Sequence, residues 1–312
     1  MGIRSLFIKP STEALFKEAD KVPGYTLFDR LHGYVYGRWT YLYIAIGTGQ
    51  HPLAKTLAPV IGFFSRGKKS DVPEENRGTA DEYHGKTISL ETATQLVMVN
   101  EPVSIPDLEH VIPYKQARAL ILQNPDHIAL IDCPCRSARV NPCQPIDVCM
   151  VVGEPFASFV IEHHPDKSRW ITQAEAVAIL KAEDERGHVH HAFFKEAMLG
   201  RFYAICNCCS CCCGAIHAHQ NGTPMLASSG FISQVDQDLC VSCESCALYC
   251  QFEALSYEDG IATVDEAKCM GCGVCVSKCP ADALSLRREE SKGVPLELAT
   301  LMQQAAGQVS GL

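Results

Sequence analysis

The 312-residue chain contains no run of 18 apolar residues, so a membrane-spanning helix is not expected. The nearest approach, Tyr41 to Phe64, is interrupted by Gln50, His51 and Lys55 and by glycines and prolines. Its start, with Trp39, Tyr41 and Tyr43 beside Arg38, suits docking on a membrane-associated partner; a helix–turn–helix core is the plainer reading. The first twenty residues carry no long apolar core, no small-residue cleavage site and no twin arginine, so no secretory signal is expected. No Walker-type loop and no Gly-x-Gly-x-x-Gly fingerprint occurs, which leaves a nucleotide or flavin site without support. Neither a Ser-His-Asp set nor a catalytic carboxylate pair stands out. Positive charge is in short supply, with 27 lysines and arginines against 36 acidic residues and a net charge of −9. That balance argues against nucleic acid as a partner.

Cysteine, by contrast, is abundant: 18 residues, in a chain expected to sit in a reducing cytoplasm where thiolates remain free for metal. Eight of them form two copies of Cys-x-x-Cys-x-x-Cys-x-x-x-Cys. The first is Cys240, Cys243, Cys246 and Cys250; the second is Cys269, Cys272, Cys275 and Cys279, followed by Pro280. Three cysteines two residues apart wrap one face of a cubane, and the fourth reaches the neighbouring cluster. One [4Fe-4S] cluster is therefore expected on Cys240, Cys243, Cys246 and Cys279, and the other on Cys269, Cys272, Cys275 and Cys250. Disulfides suit small secreted domains, and zinc sites place their ligands in two pairs; neither fits this spacing given twice.

An offset of 29 residues also maps Ile232, Val235 and Asp236 onto Ile261, Val264 and Asp265, and Ala254, Leu255 and Ser256 onto Ala283, Leu284 and Ser285. The unit is a duplication with two pseudo-symmetric halves. It resembles the bacterial two-[4Fe-4S] ferredoxins, with one departure: Gln251, not proline, follows Cys250. Between Val235 and Ser285 nine acidic residues face two lysines, a local charge of −7. That surface would attract a redox partner with a basic docking patch.

The remaining ten cysteines fall in two groups. Cys133 and Cys135 follow the apolar run His127–Asp132, with Cys143 and Cys149 in the next stretch. Cys206, Cys208, Cys209, Cys211, Cys212 and Cys213 follow Arg201–Ile205. If the two runs are parallel neighbouring strands, both thiol sets meet at one sheet edge, where open α/β sheets place their sites. At least one further iron–sulfur cluster is the favoured reading. Zinc and a thiol–disulfide relay are the alternatives. Arg136 and Arg139 flank Cys135 and could steady thiolates, although surface arginine is the simpler reading. His163, His164, His188, His190, His191, His217 and His219 lie near these cysteines and could ligate iron or relay protons. Hydrogen-bonded or surface histidine is the simpler reading of each.

The motifs Asp132–Arg136 and Cys206–Gly214, with the repeat behind them, make residues 110–287 resemble uncharacterised bacterial and archaeal 4Fe-4S dicluster proteins. That resemblance implies electron transfer and no particular reaction. Cys212-Cys213-Gly214 is similar to the CCG modules of heterodisulfide-reductase-like subunits, but the flanking cysteines do not match, and that chemistry is not carried over.

The expected class is α+β. A helical, aromatic-rich region with its linker (1–82, the linker at Arg66–Glu82) precedes a cysteine-rich α/β-like middle domain (83–230). A ferredoxin-like (β-α-β)2 two-cluster domain (231–287) and a tail (288–312) follow, the tail with one short helix around Leu296–Ala305. Within the middle domain the signals predict a helix from Pro113 to Leu122 ended by Asn124-Pro125, strands at His127–Asp132, Asp147–Gly153 and Arg201–Ile205, and a helix opened by a Thr172–Glu175 capping box and stopped at Gly187. The favoured function is electron transfer through two cubanes to or from a middle-domain cluster and a redox partner. Alternatives are a redox enzyme with a catalytic cluster or reactive thiols, and a metal-handling or redox-sensing protein. A cytoplasmic location, peripheral to a membrane through residues 39–64, completes the expectation.

Overall fold

The apolar runs around His127–Asp132 and Asp147–Gly153 are strands buried on both faces in the computed structural model, which describes residues 8–54, 56, 83–105, 108, 111–112, 119–258 and 260–309. The expected linker at 66–82 and most of the apolar run beyond residue 54 lie outside the described residues. Among the described residues no helix is long and apolar enough to cross a membrane.

Three helices come first: α1 (Pro10–Ala19), α2 (Leu27–Arg38) and α3 (Thr40–Gly47). An eight-stranded sheet follows, made of β1 (Tyr83–Ile88), β2 (Val103–Ile105), β3 (Leu120–Asp132), β4 (Asp147–Glu154), β5 (Ser168–Ile171), β6 (Val189–Lys195), β7 (Arg201–Cys208) and β8 (Leu226–Ala227). Its helices are α4 (Leu90–Val97), α5 (Pro134–Ser137), α6 (Phe156–His163), α7 (Gln173–Glu185) and α8 (Gly214–Gln220). The C-terminal module runs β9 (Phe231–Val235), α9 (Ser245–Tyr249), β10 (Leu255–Glu258), β11 (Ile261–Val264), α10 (Val274–Ser277) and β12 (Leu284–Arg288), and α11 (Leu298–Val309) closes the described chain.

Strand order is β2-β3-β4-β7-β6-β1-β8, with β5 also on β3. All pairings are antiparallel except β1 with β8. Successive side chains point to opposite faces, so one apolar run feeds two cores. Ala129, Ile131, Cys149, Val151 and Phe193 pack with Leu15, Tyr36, Phe156 and Phe159 of α1, α2 and α6. Ile128, Leu130, Met150, Val152 and Phe194 pack on the other face with Leu96 of α4 and Leu180 of α7. Leu296, Leu298 and Leu301 of the C-terminal segment join that second core, so this part of the tail is a packed layer of the fold. Each fully buried leucine, isoleucine, valine, methionine or phenylalanine among them contributes roughly 1.5–3 kcal/mol.

Two local expectations are corrected. From Leu120 onward the segment assigned to a Pro113–Leu122 helix is strand: Leu120–Leu122 pair with β2, and residues 113–118 lie outside the described residues. Leu120 and Leu122 are buried and Ile121 is half-buried, a period of two that outweighs proline's preference for helix starts. Asn124, at φ +46°, sits in a bulge of β3 against β4 and ends no helix. At α7, Thr172 caps the Glu175 N–H as expected, but the Glu175 carboxylate does not return the bond. It pairs with Arg169 Nη2 at 2.5 Å instead. Gly187, at φ +80°, ends the helix as expected.

Lys86 of β1 is 1% exposed, and its Nζ donates to the Val294 carbonyl at 2.7 Å. Burial, helped by the charge of Arg288, pushes its pKa down to about 7. The folded chain then binds fewer protons than the unfolded chain between about pH 7 and the ordinary lysine range, so stability rises with pH across that window. The slope is on the order of 1.4 kcal/mol per pH unit. Lys86→Met should flatten it and raise the thermal midpoint at neutral pH. A slope unchanged by the substitution would contradict this reading of Lys86.

Candidate metal centres

In the C-terminal module the duplicated halves interlock. β9 of the first repeat pairs with β12 of the second, and β10 pairs with β11. Two small cavities lie between the halves, each about 20 Å³. Cys269, Cys272 and Cys275 line one together with Cys250. Cys240, Cys243 and Cys246 line the other together with Cys279. The fourth cysteine of each motif therefore faces the cavity of the other motif. The remaining walls are mostly apolar, from Val264 and Leu286 at one to Ala262 and Leu284 at the other, with Ser233 Oγ 3.3 Å from Cys275 Sγ and the Tyr257 hydroxyl 3.0 Å from Cys246 Sγ.

The loops that present these thiols need a left-handed backbone at matching positions. Ser242 and Gly271, Glu244 and Gly273, and Glu253 and Asp282 all have φ between +51° and +84° and stand 29 residues apart. Glycine takes that conformation without the Cβ penalty, and the second repeat uses it twice. At Gly271 a Cβ would also collide with the Phe231 carbonyl. Backbone amides reach the sulfurs at equivalent places: Ala254 N–H donates to Cys250 Sγ at 3.3 Å, and Ala283 N–H to Cys279 Sγ at 3.2 Å. Ser233 N–H donates to Cys269 Sγ at 3.4 Å. Four soft thiols, a mostly apolar wall and N–H groups aimed at sulfur fit a thiolate-bound cluster, whose potential they would tune.

The middle-domain thiols gather at one sheet edge for a different reason from the one expected. β3 and β7 run the same way but are not neighbours, because β4 lies between them, antiparallel to both. Cys133 thus follows the end of β3, Cys149 sits near the start of β4, and Cys206 and Cys208 lie at the end of β7. β6 is antiparallel to β7, which brings His190 and His191 to the same edge.

The ten thiols divide. Cys133 is within hydrogen-bond reach of Cys135 and Cys149, Cys135 of Cys213, Cys149 of Cys206, and Cys213 of Cys208. Hydrogen bonds from Cys135 and Cys149 hold the Cys133 thiol well below the ordinary thiol range, while those two partners are pushed up. Packed thiols of this kind cannot all ionise unless a cation neutralises them. These six line a cavity of about 170 Å³. Its opposite wall is aromatic, with Tyr36, Tyr41 and Tyr43 from the N-terminal helices. Lys195 Nζ lies over the Tyr36 ring at 4.7 Å and the Tyr43 ring at 5.5 Å. Cys143, Cys209, Cys211 and Cys212 form a second group, with their Sγ atoms within 4.8 Å of one another. Cys209 and Cys212 also reach the rim of the large cavity.

Arg136 is not a surface residue. It is 1% exposed, and its guanidinium reaches Glu183 Oε2 at 2.8 Å, Asn207 O at 3.1 Å and the Pro145 carbonyl. His188 Nδ1 lies 2.7 Å from the same Glu183 oxygen. Arg139 is half-buried and holds the Cys212 carbonyl at 3.3 Å and His217 Nδ1 at 3.0 Å. The two arginines fix the backbone that carries the thiols and touch the Cys133–Cys149 and Cys206–Cys213 stretches at once.

The histidines separate by role. His163 bonds Thr12 at 2.8 Å and stacks on Phe159, a core histidine. His164 lies 2.7 Å from the Gly37 carbonyl at the edge of the large cavity. Asn207 Nδ2 donates to Val148 O at 2.6 Å, which leaves Asn207 Oδ1 to accept from His190 Nδ1 at 2.6 Å. His191 is fully buried, and neither ring nitrogen has a hydrogen-bond partner among the described residues. Burial pushes its pKa down to about 3, so it is neutral near pH 7. Its ring lies 6.0 Å from that of Phe193 and 6.4 Å from that of Phe252. The His219 ring lies 6.3 Å from that of Phe252.

Phe252 links the two parts of the protein, as do Met270 and Val274. It lines the cavity of Cys250, Cys269, Cys272 and Cys275, and it packs in the core that holds Cys133, Cys149, Cys208 and Cys213. Gln251, the residue where the repeat departs from proline, docks the module on the middle domain. Its side chain accepts from the Ser210 N–H at 2.7 Å, inside the cysteine run, and donates to the Gly187 carbonyl at 2.9 Å. Proline has neither group. The opposite set is peripheral: Cys243 is exposed, as are Val241 and Leu248 beside it.

No curated protein is significantly similar to this chain. Residues 233–286 match the family model of the 4Fe-4S dicluster domain, which makes the C-terminal part of the chain an iron–sulfur, ferredoxin-type electron-transfer module.

Proposed function

We propose that the chain is an electron-transfer protein with three cluster-binding sites. Cys240, Cys243, Cys246 and Cys279 hold one [4Fe-4S] cubane, and Cys269, Cys272, Cys275 and Cys250 hold a second. Cys133, Cys135, Cys149, Cys206, Cys208 and Cys213 supply the ligands of a further iron–sulfur cluster. When bound, such clusters take up and release single electrons. The observation that carries the proposal is the junction. The six-thiol cavity and the inner cubane site share one apolar core, with Phe193, His191 and Phe252 between them.

The residues around the sites set placement and insulation. Apolar walls and neutral His191 keep water and mobile charge out of the gap. N–H groups aimed at Cys250, Cys269 and Cys279 stabilise negative charge on sulfur. The outer site, with exposed Cys243 between Val241 and Leu248 on an acidic surface, is where a partner with a basic patch would dock. A second reading, a redox enzyme, is favoured by the tyrosines and Lys195 that face the thiols across the large cavity. A substrate-dependent spectral change without any partner protein would favour it.

Crossed ligation has a direct test. Cys250→Ala should damage the cluster of Cys269, Cys272 and Cys275, and leave that of its sequence neighbours Cys240, Cys243 and Cys246 intact. Electron paramagnetic resonance of the reduced, anaerobic protein reads which signal is lost. Loss of the sequence-local cluster would refute the crossed assignment.

A further inference from the structure

The four thiols outside the six-thiol cavity are arranged for something smaller than a cubane. Cys143 Sγ lies 2.7 Å from Cys211 Sγ, which is 3.3 Å from Cys209 Sγ and 3.5 Å from Cys212 Sγ. All four sulfurs fall within 4.8 Å of one another. A single ion with metal–sulfur bonds of about 2.3 Å sets its four sulfurs about 3.8 Å apart at tetrahedral angles. A cubane puts each thiolate on a different iron and so holds its sulfurs much farther apart. Disulfide bonding would use two of the four, and neighbours such as Cys211 and Cys212 make strained bridges.

Both segments of the site are fixed from outside. Cys143 comes from the loop between α5 and β4, which Arg136 anchors through the Pro145 carbonyl. Cys209, Cys211 and Cys212 come from the turn between β7 and α8, where Cys213 N–H bonds the Cys209 carbonyl at 3.0 Å. Gln251 holds that turn at the Ser210 N–H, and Arg139 holds it at the Cys212 carbonyl. Cys209 and Cys212 are buried, Cys143 is half-buried and Cys211 is exposed. An ion therefore has a way in, and two ligands already desolvated.

We propose that Cys143, Cys209, Cys211 and Cys212 bind one divalent ion, zinc or ferrous iron, in a tetrahedral all-thiolate site. The choice of metal follows from four soft ligands in tetrahedral geometry. Binding releases the four thiol protons and leaves a site of net charge −2, with the Arg139 guanidinium alongside on the Cys212 carbonyl. The ion straps the Cys143 loop to the β7–α8 turn over the rim of the large cavity. The site rests on its own four thiols, and its metal count is read with the six-thiol cavity holding a [4Fe-4S] cluster or none.

The test uses the full chain isolated without oxygen. [4Fe-4S] clusters contribute iron and acid-labile sulfide in equal amounts. Total iron plus zinc should therefore exceed sulfide by one per chain, and the element in excess identifies the ion. X-ray absorption at that element's edge should include a four-sulfur shell at about 2.3 Å. In a Cys143→Ser, Cys211→Ser variant the excess should vanish with sulfide unchanged. No metal excess in the unaltered chain would overturn the proposal, and that measurement needs no variant. A loss of about four sulfides in the variant would also overturn it, because these thiols would then hold a cluster. So would an intact Cys143–Cys211 disulfide found by mass spectrometry in the freshly isolated chain.

Discussion

Replacing Arg136 with methionine is expected to destabilise the protein by about 3–5 kcal/mol, the usual cost of removing one partner from a buried ion pair. Arg136 and Glu183 are essentially inaccessible to water, with side chains 1% and 0% exposed. Without the guanidinium, Glu183 keeps His188 at 2.7 Å and the exposed side of Arg186 at 2.8 Å, a partial substitute only. The Asn207 and Pro145 carbonyls lose their donor outright. Those two carbonyls belong to the segments that carry Cys206, Cys208 and Cys143, so the thiols should lose their alignment as well. Middle-domain iron should fall while the C-terminal module stays loaded. Pairing the change with Glu183→Leu should recover much of the stability, since a buried ion pair exchanged for apolar groups is often neutral. Thermal midpoints and iron content of the single and double variants check this. A single variant with an unchanged midpoint and full iron would refute the structural role given to Arg136.

Much of the C-terminal module can be read from the sequence because its information is local. Ligand spacing, the 29-residue repeat and the paired strands all lie within one short stretch. The cysteines that line each cavity follow from that spacing, since three cysteines occupy one loop and the fourth must look elsewhere. Strands at the apolar runs are legible too, because both faces of the sheet are covered and continuous apolar residues result. At Leu120–Leu122, the end of the expected Pro113–Leu122 helix, proline's helix-start preference competes with a weak two-residue period, and pairing with β2 decides for strand.

What was not legible is long-range. A charged residue is almost never fully buried unless it finds partners, and the partners of Arg136 come from positions 145, 183 and 207. Gln251 showed in the sequence as a departure from proline; its partners Gly187 and Ser210 lie 64 and 41 residues away. The division of ten thiols into six and four depends on β4 lying between β3 and β7 and on which way each side chain points. Neither is encoded in cysteine spacing.

The second large effect concerns the six-thiol cavity. Cys133, Cys149 and Cys206 each come from a different strand end, and Cys149 joins the other two. Changing all three to serine removes three of the six grouped thiols while keeping their approximate size, and it touches neither the C-terminal cysteines nor the group around Cys143. Iron and acid-labile sulfide, counted without oxygen beside electron paramagnetic resonance of the reduced protein, give the most direct reading. The chain with all its cysteines should hold more than the roughly eight irons of two cubanes. The triple variant should lose about four irons and four sulfides if the cavity holds one [4Fe-4S] cluster, with both C-terminal signals retained. Iron, sulfide and spectra identical in the two proteins would contradict a middle-domain cluster and leave the C-terminal module as the end of the electron path.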